Sequence, residues 1–112
     1  MITDHDTNII VISGEVLVEP RVVELGNGND KLEFSIDMHR RFSAKSNTVR
    51  KSQEIIMNVE AFGGLIRWGI NTLNEGDKIL IIGRYQLDTE NNPVVTAKSI
   101  YIIKDAYIHV EV

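Results

Sequence analysis

The chain has 112 residues, no cysteine and a formal net charge of −4. A chain of this length can bury a hydrophobic core as one domain, and the absence of cysteine excludes disulfides and thiolate metal sites. No apolar run approaches the roughly 20 residues of a membrane-spanning helix. The acidic start, Met1 to Asp6, fits neither a secretory signal nor a transit peptide. We therefore expect one soluble, cytoplasmic domain over residues 1–112, with its core at about 8–103.

Alternating apolar and polar residues predict three strands in the first half of the chain. The first covers residues 8–19 and carries Gly14 midway, where we expect a bulge or a sharp bend that lets a small sheet curl. Pro20 ends it, and residues 22–25 lead into a turn at 26–30. The second strand, residues 31–38, buries Leu32, Phe34, Ile36 and Met38. The third, residues 54–62, places Ile56, Asn58, Glu60 and Phe62 on one face.

The period then changes to that of a helix over residues 63–74, with Gly76 as its expected stop. Two strands follow at 78–87 and 94–103, joined by a polar turn. Tyr85 shares a face with apolar residues of its strand and is expected in the core. Residues 106–112 are expected to add an edge strand. This order predicts an all-β, five-stranded Greek-key barrel of the OB type, with one helix between its third and fourth strands and an extra C-terminal edge strand.

Charge is distributed unevenly along the chain. Residues 38–53, the basic segment, contain five of the twelve Lys and Arg residues and none of the sixteen Asp and Glu residues. Its Ser, Asn and Thr content is typical of a loop rather than of a strand or helix. Lysine and arginine in such a loop are suited to phosphate groups of nucleic acid. The alternative is a solvated loop that maintains solubility.

Catalysis has little support in the sequence. The three histidines have no metal-ligand spacing, and there is no Walker-type loop or nucleophile elbow. We expect no enzymatic activity, no cofactor and no metal.

Four collinear blocks resemble bacterial single-stranded DNA-binding proteins. The sequence around Gly14 and Glu19-Pro20 is the first, and Glu33 to Ile36 running into Arg40-Arg41-Phe42 is the second. The third is Val59 to Leu65, and the fourth is Leu73 to Lys78 with Gly83-Arg84. Together they span about residues 8–103.

The resemblance implies non-specific capture of single strands, with bases stacked on aromatic side chains and phosphates held in a basic groove. It places stacking at Phe42 and Phe62 and puts Ile56 where the family commonly has another aromatic. It assigns phosphate contacts to the cations of the basic segment and of the fourth block: Arg40, Arg41, Lys45, Arg50, Lys51 and Arg84.

Several positions depart from the family pattern. Basic residues of the family's fourth strand correspond here to Gln86 and Asp88, an arginine position falls on Val23, and Glu60 brings a negative charge to the expected DNA face. The hairpin that usually carries another stacking aromatic is shortened. Losing two stacking contacts would cost about 2–6 kcal/mol if they are additive. We therefore expect weaker and more salt-sensitive binding than is usual in the family.

The expected partners are single-stranded DNA, other copies of the chain and replication proteins. The family implies a tetramer built from dimers, with a dimer as the smaller possibility. Trp68, Tyr107 and His109 are candidates for partner or subunit contacts, although Trp68 could equally pack over a neighbouring loop. The family's acidic C-terminal tail is not in this sequence, so no tail-mediated partner is expected; a fragment and a short paralogue both remain open. The alternative function is an OB-fold interaction subunit of a replication or recombination complex that binds little DNA.

Overall fold

The computed structural model describes residues 7–26, 28–38, 40–43 and 50–103, and of residues 40–43 and 50–53 it describes the backbone alone. The described residues form eight strands and one helix. The strands are β1 (Ile10–Val16), β2 (Arg21–Gly26), β3 (Asn29–Asp37), β4 (Arg40–Ser43), β5 (Arg50–Gln53), β6 (Ile56–Ala61), β7 (Lys78–Leu87) and β8 (Pro93–Ile102). The helix, α1, covers Gly64–Thr72 and lies between β6 and β7.

Six strands form one curled sheet in the order β1-β7-β8-β6-β3-β2, and β1 also pairs with β3, which closes the barrel. The pairing of β1 with β3 begins directly after Gly14. Gly14 pairs in register with Ile79 of β7, and the next residue, Glu15, pairs both with Lys78 of β7 and with Asp37 of β3. A Cβ on Gly14 would lie 2.7 Å from the Asp37 carbonyl oxygen, so only glycine permits this approach. The β1–β7 register runs through Gly14 without a shift, so the pairing contains no bulge there, and the glycine instead permits the close approach of β1 to β3.

Strand alternation decides which side chains fill the barrel. Leu32, Phe34 and Ile36 of β3 point inward, as predicted, and the packed interior also contains residues from β1, β6, β7 and β8. Helix α1 covers β3 at Gly69, where a Cβ would overlap the Leu32 side chain. This contact holds the helix close to the sheet and leaves the outer face of the sheet uncovered by it.

The helix ends earlier than expected. Its last residue is Thr72, and Leu73 is already extended and buried in the core. Gly76 is therefore not the helix stop. It adopts a φ of 93° in the following turn and donates its N–H to the Val16 carbonyl oxygen at 2.8 Å. Gly76 thus joins the turn before β7 to the end of β1.

Two other expectations were wrong in part. The basic segment is not all loop, because β4 and β5 pair with each other, from Arg40↔Gln53 to Ser43↔Arg50. Polar composition did not reveal these strands, since backbone pairing depends little on which side chains are polar. Tyr85 is 44% exposed rather than buried, because this part of β7 extends past the core. The expected strand at 106–112 lies outside the described residues.

The end of the β1–β7 ladder is formed by a side chain. The Asn8 amide donates to the Tyr85 carbonyl oxygen at 2.9 Å and accepts the Tyr85 N–H at 3.0 Å. Beyond Tyr85, the described part of β7 pairs with β8 alone, through Gln86↔Val94 and Leu87↔Pro93. A compact turn closes this short two-stranded arm.

Candidate nucleic-acid interface

Strand pairing brings charged residues into one line across five strands. Arg21 pairs with Glu33, Glu33 with Glu60, Glu60 with Thr96, and Thr96 with Arg84. We call these five residues the charged row. Neighbouring strands lie about 4.8 Å apart, so the charged row extends about 19 Å along the curved sheet from one arginine backbone to the other. The charged row crosses the outer face of the sheet with an arginine at each end and glutamates between them.

Lys31 neutralises the middle of the charged row. Its Nζ lies 3.1 Å from Glu60 Oε1 and 3.5 Å from Glu33 Oε2. At the edge, Arg21 Nη2 lies 3.1 Å from Glu33 Oε1. Burial disfavours the charged Lys31 ammonium, but the hydrogen bonds and charges of Glu60 and Glu33 outweigh that cost and raise its pKa. Lys31 is therefore held as a cation between two carboxylates.

Glu60 is fixed from its other side by a hydroxyl. The Thr96 Oγ1–H donates to Glu60 Oε2 at 2.8 Å, and Gln86 Nε2 donates to Thr96 Oγ1 at 2.6 Å. Both Glu60 carboxylate oxygens thus have partners, and the residue is only 6% exposed. The sequence predicts a negative charge on the face expected to meet DNA. The structure places Glu60 on this outer face and adds that its carboxylate is buried and paired with Lys31.

Two apolar side chains flank β6 at the outer face: Ile56 is its first residue, and Phe62 directly follows its last residue. Phe62 is 43% exposed and Ile56 is 54% exposed. Gly63, with a φ of 64°, turns the chain toward α1 directly after Phe62. Asn58 lies between the two apolar residues and accepts a hydrogen bond from Ser35 on β3 at 3.0 Å. The face therefore offers an aromatic surface at one end, an aliphatic one at the other and polar groups between.

A cleft of about 430 Å³ lies over this part of the sheet. Its walls include Val18, Arg21, Asn58 and Asp88. The Asp88 carboxylate accepts the backbone N–H groups of Asn92 and Glu90, and these bonds, together with the Lys31 charge, lower its pKa. Asp88 is thereby fixed as an anion at the margin of the cleft, in the turn that closes the two-stranded arm.

The structure brings three of the expected DNA-binding residues onto one face: Ile56, Phe62 and Arg84. Arg84 is exposed at the end of the charged row. Arg40, Arg41, Phe42, Arg50 and Lys51 belong to the β4–β5 pair, in which Phe42 stands opposite Lys51 in register. Lys45 lies outside the described residues.

Of the three residues expected to contact partners or subunits, the structure describes Trp68. Trp68 is half-buried and packs against the core, so packing accounts for part of its surface and its role in a partner contact stays a prediction. Tyr107 and His109 lie outside the described residues. No helix among the described residues is both long and apolar enough to cross a membrane.

Sequence reasoning missed the roles of Arg21, Lys31, Glu33, Thr96 and Gln86. The alternation over residues 31–38 did place Lys31 and Glu33 on an outer face. Their partners on other strands, however, are Arg21 of β2 and Glu60 of β6, and the register that joins them is visible only in the fold.

Comparison with solved structures agrees with the OB-type barrel. A single-stranded DNA-binding protein of Plasmodium falciparum, solved in complex with single-stranded DNA, superposes with a TM-score of 0.74 at 14% identity, covering 92% of this chain and 100% of that one. The small single-stranded DNA-binding protein of Streptomyces coelicolor gives a TM-score of 0.76 at 18% identity, covering 92% and 98%. At these identities the likeness shows the fold.

Sequence comparison identifies the family. No curated protein gives a significant match to the chain. The sequence model described as "Single-strand binding protein family" matches residues 7–109, which is nearly the whole chain. The chain therefore belongs to the single-strand binding protein family.

Proposed function

We propose that this protein binds single-stranded DNA without sequence preference and protects it during replication, recombination or repair. The observation that carries the proposal is the half-exposed Phe62, which lies on the same outer face as the exposed Arg21 and Arg84. A base can stack on the phenyl ring while the arginines attract phosphates. Membership in a family of DNA-binding, non-catalytic proteins supports this function.

The basic segment supplies the main electrostatic contact in this proposal. Arg40, Arg41, Arg50 and Lys51 lie on two paired strands, so their backbones are held at fixed spacing. In the sequence, no acidic residue lies among these four cations and Lys45. Phe42, within the same pair of strands, provides a second stacking side chain, and Ile56 provides apolar contact to a base without aromatic stacking.

The charged row makes this interface less positive than its cation count suggests. Two of its cations, Arg21 and Lys31, are bonded to carboxylates of the same face. We therefore expect weaker binding than in family members with more aromatic and basic contacts. We further propose that the protein has no catalytic activity or cofactor and acts in the cytoplasm on nucleoid DNA, alongside replication proteins.

The direct test is fluorescence anisotropy of labelled oligo-dT at low and physiological salt. We expect binding that weakens as salt rises, because phosphate contacts release counterions. Arg40→Ala/Arg41→Ala should weaken binding and flatten the salt dependence. The matched control, Arg67→Ala/Lys78→Ala, removes two exposed cations that lie outside the interface. Unchanged binding by the first variant would contradict the role of the basic segment.

The apolar part of the outer face supports a second element of the proposal, self-association. Val11 pairs with Ile82, and Leu80 pairs with Tyr101. Val11 and Tyr101 are 58% and 53% exposed. The pairing of β1 with β3 begins only at Glu15, so the preceding backbone of β1 forms an open edge among the described residues. A second copy that pairs along β1 and covers these apolar side chains would bury both features.

Sedimentation velocity tests this assembly. The wild-type chain should sediment as a dimer or tetramer, and Val11→Asp/Tyr101→Asp should shift it toward the monomer. Glu75→Lys, a charge change in the turn after α1, should not. A monomeric wild-type chain at micromolar concentration would overturn the proposed assembly.

A second candidate function is an OB-fold interaction subunit that binds little DNA. The internal neutralisation of Arg21 and Lys31 favours it, because it reduces the positive charge available to phosphates. The anisotropy titration with labelled oligo-dT separates the two functions. Absence of binding at low salt would favour the interaction subunit.

A further inference from the structure

We propose that Glu60 limits the affinity of this protein for single-stranded DNA by holding Lys31 in an internal ion pair. The Glu60 carboxylate forms an ion pair with the Lys31 ammonium group, which would otherwise be available to a DNA phosphate. The inference rests on the proposed function and deepens it, because it identifies a residue that sets how strongly the interface binds.

The position of Lys31 is suited to a DNA contact. It lies on the outer face of β3, and continuation of the β3–β6 register past Leu32↔Ala61 places it beside Phe62. A nucleotide stacked on Phe62 would bring its phosphate close to this side chain. Lys31 also lines the cleft that runs over the charged row.

The geometry of Lys31 nevertheless withholds it from such a contact. The side chain is only 14% exposed, and its Nζ is 3.1 Å from Glu60 and 3.5 Å from Glu33. A phosphate would have to displace at least the closer carboxylate. Displacement would leave Glu60, 8% exposed in its side chain, as a buried anion beside the negatively charged DNA backbone.

The Glu60 carboxylate cannot readily move out to solvent when Lys31 turns toward a phosphate. The Thr96 hydroxyl holds its other carboxylate oxygen, and Gln86 holds Thr96. These neutral groups keep the carboxylate in place whether or not Lys31 is bound. The pair therefore acts as a fixed internal competitor of the phosphate rather than as two independent surface charges.

The test is oligo-dT binding by Glu60→Gln as a function of salt. Glutamine has nearly the same volume and can still accept the Thr96 hydrogen bond, but it carries no charge. We expect about 2- to 5-fold tighter binding at low salt, because the released Lys31 would form one ion pair with a phosphate at the protein surface. The slope of log affinity against log salt should steepen by about 0.7, the value for one added phosphate contact on a single strand.

Two further variants separate a released Lys31 from a general change of net charge. Glu75→Gln makes the same charge change in an exposed turn and should bind as the wild type does. Glu60→Gln/Lys31→Gln removes both partners and should return the salt slope to the wild-type value. An equal gain in Glu75→Gln, or a gain that survives in the double variant, would overturn the inference.

A measurement on the wild-type chain does not depend on the folding of any variant. The Lys31 ammonium nitrogen should show no NMR coupling through a hydrogen bond to a DNA phosphorus when oligo-dT saturates the protein. Such a coupling would show that the lysine already binds phosphate and would overturn the inference.

The outcomes for the two proposals are distinguishable. If the wild type binds and Glu60→Gln binds no better, only the inference fails. If the wild type does not bind and Glu60→Gln does so through Lys31, the inference holds and the proposed function of the native chain fails. If neither binds at low salt, both fail.

Discussion

Gly83 of β7 lies so close to Thr96 of β8 that a Cβ on the glycine would overlap the Thr96 carbonyl oxygen. The approach coincides with a register shift in β8, where Ile82 pairs with Ser99 but Gly83 pairs with Ala97. The residue skipped by this bulge is Lys98. Because of the shift, Thr96 stands beside Glu60 and can donate to its carboxylate. Gly83 therefore positions a partner of the charged row as well as packing the sheet.

Gly83→Ala should destabilise the protein by about 1–3 kcal/mol, the usual cost of inserting an atom into a filled space. Urea unfolding at neutral pH measures the change. Gly64→Ala is the control, because a Cβ there meets nothing within 4 Å and Gly64 is helical. That control should be neutral or slightly stabilising. Equal stability of the Gly83 variant and the wild type would contradict the tight approach.

Phe62→Ala should weaken oligo-dT binding by about 1–3 kcal/mol, the value of one base stacked on an aromatic ring. Phe62 is 43% exposed and follows the last residue of β6, so most of the effect should appear in affinity rather than in stability. Anisotropy gives the affinity and thermal unfolding gives the stability. Phe62→Trp should retain binding. Full affinity in the alanine variant would exclude the ring as a stacking platform.

Ile56→Trp should strengthen binding, because it adds an aromatic surface at the other end of β6. Ile56 is 54% exposed, and its register partner is Asp37, so a larger side chain can extend from the sheet without entering the core. One additional stacked base is worth about 1–3 kcal/mol. Ile70→Trp is the control, because Ile70 is 43% exposed on α1 rather than on the sheet, and it should not raise affinity. A loss of affinity in Ile56→Trp would place the DNA path elsewhere.

Asp88 should make stability depend on pH in the acid range. Its folded-state pKa is lowered by backbone N–H groups of Asn92 and Glu90, so its contribution is present above the unfolded pKa, about 3.9. That contribution is lost as the pH falls through the folded pKa. The stability difference between wild type and Asp88→Asn should therefore be largest near neutral pH and shrink below about pH 3.9.

Urea unfolding of both proteins at several pH values provides this measurement. Glu90→Gln makes the same charge change two residues along the turn and should not reproduce the pH dependence. A difference that grows as the pH falls would contradict the assigned direction of the Asp88 shift.

Alternation was sufficient to predict which faces of the strands are buried. Leu32, Phe34 and Ile36 are in the core as expected, and Phe62 is on the outer face. A period of two identifies the face of a residue but not its neighbours on adjacent strands. The pairing of Glu60 with Lys31 and Thr96 therefore could not be predicted.

The exposure of Tyr85 has a related explanation. The residue keeps the inward phase of Ile79 and Ile81, both of which are fully buried. The barrel, however, ends before the strand does, and alternation contains no information about that limit. The pairing of β4 with β5 could not be predicted for another reason. Both strands are rich in the polar and charged residues that are typical of loops.

The contact between Asn8 and Tyr85 divides the sheet into regions of unequal local stability. An amide side chain there imitates a peptide group and ends the ladder, so the arm beyond it is held by one neighbour per strand in the described part of the chain. Such an arm can fray and exchange its amide hydrogens while the barrel stays closed. Gln86 belongs to the arm, yet it holds the Thr96 hydroxyl. Each opening of the arm would release Gln86 from the Thr96 hydroxyl, and this hydroxyl would then hold the Glu60 carboxylate less firmly. Transient opening of the hairpin is thereby linked to the electrostatics of the binding face.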